Sequence, residues 1–215
     1  MSVSVTYLIE PGAATPPGFP RVWTDGGAVE MTSMDGPNAV AVSLARLEVL
    51  EHPAAGGPWV STQRVSSVDL TMYITHGRLI LHSERWNQRR GTAGIRGTAT
   101  GLGIFADLRA TRERRGRVLV GHVMHRWVEV VYATRQVGAV PAELRCIVRT
   151  SGTDVVTVRL DMAIPAPLVD RHLFSLAHHW ATLIALARGA PVPPAPDPGE
   201  ASYTATIAGA VRMGD

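Results

Sequence analysis

The sequence predicts a mainly β, α+β protein: a bent antiparallel barrel or pair of sheets, closed near the C-terminus by one long α-helix. Three observations carry this. Val68 to Thr75 alternates, with Val68, Leu70, Met72 and Ile74 apolar and the intervening positions mostly polar, the period of a strand with one wet face. A second alternating pair runs from Leu144 to Met162, where Val156, Val158, Leu160 and Met162 share one side of the return strand. Residues 167–188 repeat instead at helical spacing, through Leu168, Phe174, Leu176, Trp180, Leu183, Ile184 and Ala187.

Taken along the chain, residues 1–38 are rich in Pro and Gly and read as an N-terminal arm, with Val3, Val5, Tyr7 and Ile9 alternating like a short strand. Strands are expected at 40–50 and 58–65. The segment 68–83 is a hairpin: Val68–Thr75 pairs with Arg78–Ser83 across His76-Gly77, where Gly is expected to supply a positive φ. Strands follow at 118–123 and 127–134, then the second hairpin, turning at Ser151-Gly152. Pro165 and Pro167 mark the start of the helix, Asp170 and Arg171 lie in its first turns, and Gly189 with Pro191 marks its end. Residues 190–202 hold five prolines, at 191, 193, 194, 196 and 198, and predict a stiff extended linker. Tyr203 to Val211 either returns as an edge strand or stays loose. The organisation is an arm (1–38), one β domain (39–189), and a linker and tail (190–215).

Composition bounds the function. The chain has 215 residues, 46% hydrophobic and 18% charged, which suits a globular domain with a real core. No apolar run reaches the roughly 18 residues that cross a bilayer, and Met1 to Glu10 has no basic start before an apolar stretch. A single cysteine, Cys146, cannot close an internal disulfide, so a reducing, cytoplasmic setting is expected. All 21 basic residues are Arg. GC-rich codon usage explains this, as does selection for planar forks that grip phosphate or carboxylate. Either way, Schiff-base and phosphate-loop lysine chemistry is excluded.

Residues 85–117 interrupt the β pattern. They carry nine Arg (85, 89, 90, 96, 109, 112, 114, 115 and 117) against Asp107 and Glu113, a local net charge of 9 − 2 = +7. Gly91 to Gly103 holds five Gly, and from Leu102 a basic amphipathic helix is expected. Three readings fit: a solvated loop, a membrane-surface element with Leu102, Ile104 and Phe105 at the headgroup boundary, or a polyanion site binding phosphates. Aromatic interleaving is thin, with only Trp86 and Phe105. Gly101-Leu102-Gly103-Ile104-Phe105-Ala106 matches a loose dinucleotide fingerprint but lacks the preceding strand and the later acid, so no nucleotide cofactor is expected.

Candidate chemistry elsewhere is sparse. His122 and His125, three apart in a strand, would face opposite ways, and no Cys or carboxylate cluster stands beside them, so no metal site is expected. His172 and His179 share a helix face. Cys146 lies on the side of Leu144 and Val148 and reads as a core thiol.

Leu70 to Leu81, read as strand, Thr, short turn, Arg and Leu-Ile strand, together with Gly121-His122-Val123, Trp127 to Val131 and the cap 167–188, resembles the bacterial pleckstrin-homology-like group, including GRAM-type domains. The resemblance spans about residues 40–188. It implies a bent barrel of about seven strands in two sheets with a helical cap, and a scaffold that binds lipid headgroups, peptides or proteins. His76-Gly77 stands where an acidic turn residue is usual, and 85–117 separates strands normally joined by a short loop.

The function expected is therefore a non-catalytic binding module for an anionic membrane surface or a protein partner. Arg85, Arg89, Arg90, Arg109, Arg112, Arg114, Arg115 and Arg117 would face the anion, and Leu102, Ile104 and Phe105 would make the apolar contact. The protein would then be cytoplasmic and peripheral at the membrane. Nucleic-acid binding through the same arginines is one alternative. An enzyme assembled from distant residues, with His122, His125 and Glu129 as members, is the other.

Overall fold

The computed structural model describes residues 31, 33–52, 57–65, 70–83, 88–89, 119–149, 157–165, 172–197 and 199–208. Its first apolar run, expected as one strand over 40–50, is two. β1 (Val40–Ser43) and β2 (Arg46–His52) meet at a corner where the chain changes sheets. The Leu44 N–H donates to the Leu70 carbonyl in the first sheet, at 2.8 Å, and the Ala45 N–H donates to the Ala163 carbonyl in the second, also at 2.8 Å. Leu44 points into the core between them. The corner thus satisfies both exposed amides while burying a large side chain.

The remaining strands are β3 (Val60–Val65), β4 (Leu70–Ile74), β5 (Arg78–Ser83), β6 (Gln88–Arg89), β7 (Leu119–Met124), β8 (Val128–Thr134), β9 (Ala142–Arg149), β10 (Thr157–Ile164) and β11 (Ser202–Thr206). Among the described residues they form a four-stranded sheet, β1-β4-β5-β7, and a seven-stranded sheet, β11-β8-β9-β10-β2-β3-β6. Every pairing is antiparallel. The mainly β class with one long helix is the one observed.

The alternation read from the sequence sets the inner faces. Leu70, Met72 and Ile74 of β4, Leu79 and Leu81 of β5, and Val158, Leu160 and Met162 of β10 all lie in one core. Cys146 lies there too, between Leu144 and Val148 on β9. Burial raises its thiol pKa far above the usual range, so it packs as a small hydrophobe.

The helix α1 (Leu173–Arg188) closes one side. Residues 167–171, expected as its first turns, lie outside the described residues. Its buried stripe is Leu173, Phe174, Ala177, Trp180, Ala181, Ile184 and Ala185, whereas Ala187 is exposed. Ala177, Ala181 and Ala185 in this stripe let the helix axis approach the sheet. Leu176 and Leu183 are half-buried, and Ala187 is exposed in the last turn although it shares the face of Trp180. Gly189 ends the helix in a left-handed conformation, φ 62° and ψ 29°. Its N–H donates to the Leu186 carbonyl and the Ala190 N–H to the Ala185 carbonyl, the paired bonds of a Schellman stop. After the proline stretch, β11 returns beside β8 as an edge strand over Ser202–Thr206, and residues 209–211 of the expected segment lie outside the described residues.

The β4–β5 turn overturns one expectation. The Thr75 N–H donates to the Arg78 carbonyl, yet Gly77 does not have a positive φ. Its smallness serves close approach instead. A Cβ at Gly77 would lie 2.8 Å from the Met34 carbonyl oxygen, in the 3-10 turn Ser33–Asp35 that packs on this hairpin. Backbone cannot yield as a side-chain tip does. Gly77→Ala is therefore expected to push the 33–35 turn off the hairpin and cost about 1–3 kcal/mol, as overpacking does. A urea midpoint unchanged from wild type would refute this account.

Candidate functional site

In a strand with one face in the core, the alternate residues face away. On β5 those are Arg78, Ile80 and His82, and on β7 they include His122. All four are buried, so the β5–β7 part of this outer face is covered and yet polar, while Ala41 and Ser43 of β1 are exposed. Arg78, whose side chain is 0% exposed, is its centre.

Asp35 reaches Arg78 from the 33–35 turn. Arg78 Nε donates to Asp35 Oδ1 at 2.8 Å and Nη2 to Oδ2 at 2.6 Å, a bidentate fork. Thr75 Oγ1 lies 2.9 Å from Asp35 Oδ1 and 2.8 Å from the Arg78 carbonyl, and it accepts from the Arg78 N–H at 3.1 Å. The His76 N–H donates to the Asp35 carbonyl. One carboxylate and its own peptide thus fix the turn to the hairpin at several points. A charge removed from water needs such saturation.

His122 completes the cluster. Arg78 Nη1 lies 3.1 Å from His122 Nδ1. A guanidinium only donates, so Nδ1 is the acceptor and the ring is a neutral imidazole with its proton on Nε2. Burial, and secondarily the Arg78 charge, lower the His122 pKa to about 4, against a smaller upward pull from Asp35.

His125 sits on the other side of the same turn. His122 and His125 do face opposite ways, His122 with Arg78 on the outer face and His125 toward Trp180, but not along one strand as expected, because β7 ends at Met124. His125 opens a 3-10 turn, His125–Trp127, where the period of two no longer applies. Its N–H donates to the Gly77 carbonyl at 3.1 Å, and its Nδ1–H to the His76 carbonyl at 3.2 Å. That fixes the opposite tautomer to His122, with Nε2 bearing the lone pair. Burial is the main cause that lowers its pKa, to about 3. Its ring lies 6.5 Å from that of Trp180 on α1. His125 Nε2 and Trp180 Nε1 are buried without a hydrogen-bond partner among the described residues. The β4–β5 turn thereby joins the N-terminal turn, the 3-10 turn His125–Trp127 and, through the His125 ring, the helix.

Chemically this cluster is a lock. A general base works best with a pKa near the operating pH, and these imidazoles sit about 4 and about 3. Among the described residues no group of three His, Cys, Asp or Glu is placed to hold a metal ion. Glu129, the third residue of the enzyme alternative, lies half-buried in β8, where its carbonyl accepts the Ile207 N–H. An apolar cleft of about 260 Å³ opens between β1 and the start of α1, lined by Val40, Val42, Ile164, His172, Leu173 and Leu176.

Comparison with protein-family models, with curated proteins and with solved structures finds no match to this chain. The assignment of function therefore rests on its own residues.

Of the sequence-predicted anion site, Arg89 alone lies among the described residues. Arg85, Arg90, Arg109, Arg112, Arg114, Arg115 and Arg117, with Leu102, Ile104 and Phe105, lie outside the described residues. Arg89 is described through its backbone in β6, paired with Arg64 of β3. β6 is an edge of the seven-stranded sheet and β7 an edge of the four-stranded one, so residues 90–118 connect one edge to the other.

Four arginines of the sheets, Arg46, Arg78, Arg145 and Arg159, are engaged, whereas Arg64 of β3 is exposed. On the outer face of the large sheet, Asp161 accepts from Arg145 Nε at 2.7 Å and from Arg159 Nη2 at 3.0 Å, while Glu143 pairs with Arg145 and Arg46. Arg145 stacks over Tyr132 and Arg159 over Trp59. Arg135 covers Phe174, and Arg188 donates to the Val128 carbonyl. The buried Arg78 is missed by reading charge along the chain. Its signal was a cation among apolar neighbours, Arg78-Leu79-Ile80-Leu81, with Thr75 and Asp35 available as partners.

Proposed function

We propose that this chain is a non-catalytic binding module that engages an anionic membrane surface through the Arg- and Gly-rich segment 85–117. One observation supports the reading above the others. Nine of the 21 arginines fall in that segment against two acids, whereas Arg46, Arg78, Arg145 and Arg159 of the sheets are each paired with a carboxylate. The excess of positive charge along the sequence is thus concentrated in this one segment. The two sheets and the helix then serve as the kind of scaffold that pleckstrin-homology-like domains use. No described helix is long and apolar enough to cross a membrane.

Each arginine near a negatively charged leaflet contributes about 1 kcal/mol. Co-sedimentation is expected to show binding to phosphatidylserine-containing vesicles and little to pure phosphatidylcholine. Replacing Arg109, Arg112, Arg114 and Arg115 by Gln should weaken it by roughly two orders of magnitude or more. Equal binding to both vesicle types, or none to either, would overturn the membrane reading. Retention of nucleic acid on a filter, falling steeply with salt while vesicles fail, would transfer the same arginines to a polyanion partner.

A further inference from the structure

The chain between α1 and β11 is composed for one conformation. From Ala190 to Asp197 every residue is either a proline or the residue before one. Proline fixes φ near −65°, and the residue preceding it is driven to extended ψ. The burial pattern follows. Ala190, Pro193 and Pro196 are partly buried, while Pro191, Val192, Pro194, Ala195 and Asp197 are exposed. A repeat of three residues is that of a polyproline II helix with one edge on the protein and two edges toward solvent.

The strap is held in place. His178 Nδ1 lies 3.2 Å from Tyr203 Oη, and Tyr203 Oη lies 3.3 Å from the Pro194 carbonyl. The carbonyl only accepts, so Tyr203 donates to it and the imidazole N–H donates to Tyr203. Ala190 packs on the core at one end. At the other, the Gly199 N–H donates to Asp197 Oδ1 at 2.9 Å and the Glu200 N–H to the Asp197 carbonyl, turning the chain into β11.

A spacer across a surface needs the inward edge only. Its outward positions are free to be polar, yet Pro191, Val192, Pro194 and Ala195 are all apolar, and Val192 is 52% exposed. We propose that this strap is a preformed ligand for a protein partner whose groove is lined by aromatic side chains, which would take the Pro191/Pro194 and Val192/Ala195 ridges. Such grooves read two edges of a polyproline II helix and exploit its low conformational entropy. The strap is a different stretch of the chain from residues 85–117, so a partner bound here would be additional to the proposed membrane contact.

The test uses the full-length protein with immobilised SH3 and WW domains as probes of aromatic-lined grooves. Binding in the micromolar range by a member of the panel is expected, with shifts confined to its groove aromatics. Val192→Asp with Ala195→Asp should abolish it, at least tenfold, with an unchanged circular dichroism spectrum because both positions are exposed. No binding across the panel, or binding that survives the double substitution, would overturn the proposal. Vesicle binding is expected to be unaffected by this variant, which separates it from the proposed membrane role.

Discussion

Replacing Asp35 by Ala is expected to lower the stability of the fold by about 3–5 kcal/mol, the usual result of removing one partner from a buried ion pair. The reason is the state of what remains. Arg78 is always charged and its side chain is 0% exposed, so the substitution leaves a guanidinium away from water with two donors released. It also frees Thr75 Oγ1 from the carboxylate. The net worth of the intact pair is a different quantity, because two charges were desolvated to form it. Asp35→Leu combined with Arg78→Met is therefore expected to recover most of the loss. Urea unfolding of the single and double variants measures both, with an unchanged m-value as the condition for reading the midpoint as stability. A single variant within about 1 kcal/mol of wild type would show that the pair is not the fastening described.

What the pair secures is register. The 33–35 turn has little apolar surface to hold it, and Met34 is exposed. Directional bonds to the β4–β5 turn, together with the space left by Gly77, specify where it lies. Buried polar groups serve such specificity in some systems. Here the same turn carries His125 on its far side and, through that ring, Trp180.

This arrangement explains which parts of the protein the sequence disclosed. Alternation fixed by a shared core is local information, so β4, β5, β10 and the helix were legible within a few residues. The Schellman stop was legible because Gly189 and Pro191 act on their own neighbours. The corner at Leu44–Ala45 was not, since an apolar run looks the same whether or not it changes sheets. The Asp35–Arg78 pair spans 43 residues, and no spacing rule connects two such positions. The role of Gly77 was misassigned for the same reason. Its constraint comes from Met34, a distant segment, and not from the φ of the turn itself. The arginine-rich segment was conspicuous because composition alone marks it.

The second large effect expected is acid destabilisation through His122 and His125. Both are held neutral in the fold, with pKa values of about 4 and about 3 against an ordinary 6.5. Above pH 6.5 neither ring is charged in either state, and they contribute no pH dependence. Below it the unfolded chain takes up two protons that the native state refuses, so stability falls as pH falls. The slope is about 1.4 kcal/mol per pH unit for each ring, continuing down to about pH 4 for His122 and about pH 3 for His125. At pH 5 the two together remove roughly 4 kcal/mol, a large part of the 5–15 kcal/mol typical of a domain. Burial is the main cause of both shifts, modulated by Arg78 and Asp35 around His122 and by His76, Asp35 and His179 around His125. His122→Gln preserves an acceptor for Arg78 while removing the titration. It should take away about half of the slope between pH 6 and pH 4.5. Denaturant midpoints across that range decide the matter. A flat profile in the wild type, or a slope that His122→Gln leaves unaltered, would mean that His122 is already protonated in the fold. The neutral imidazole accepting from Arg78 would then be the wrong description of the cluster.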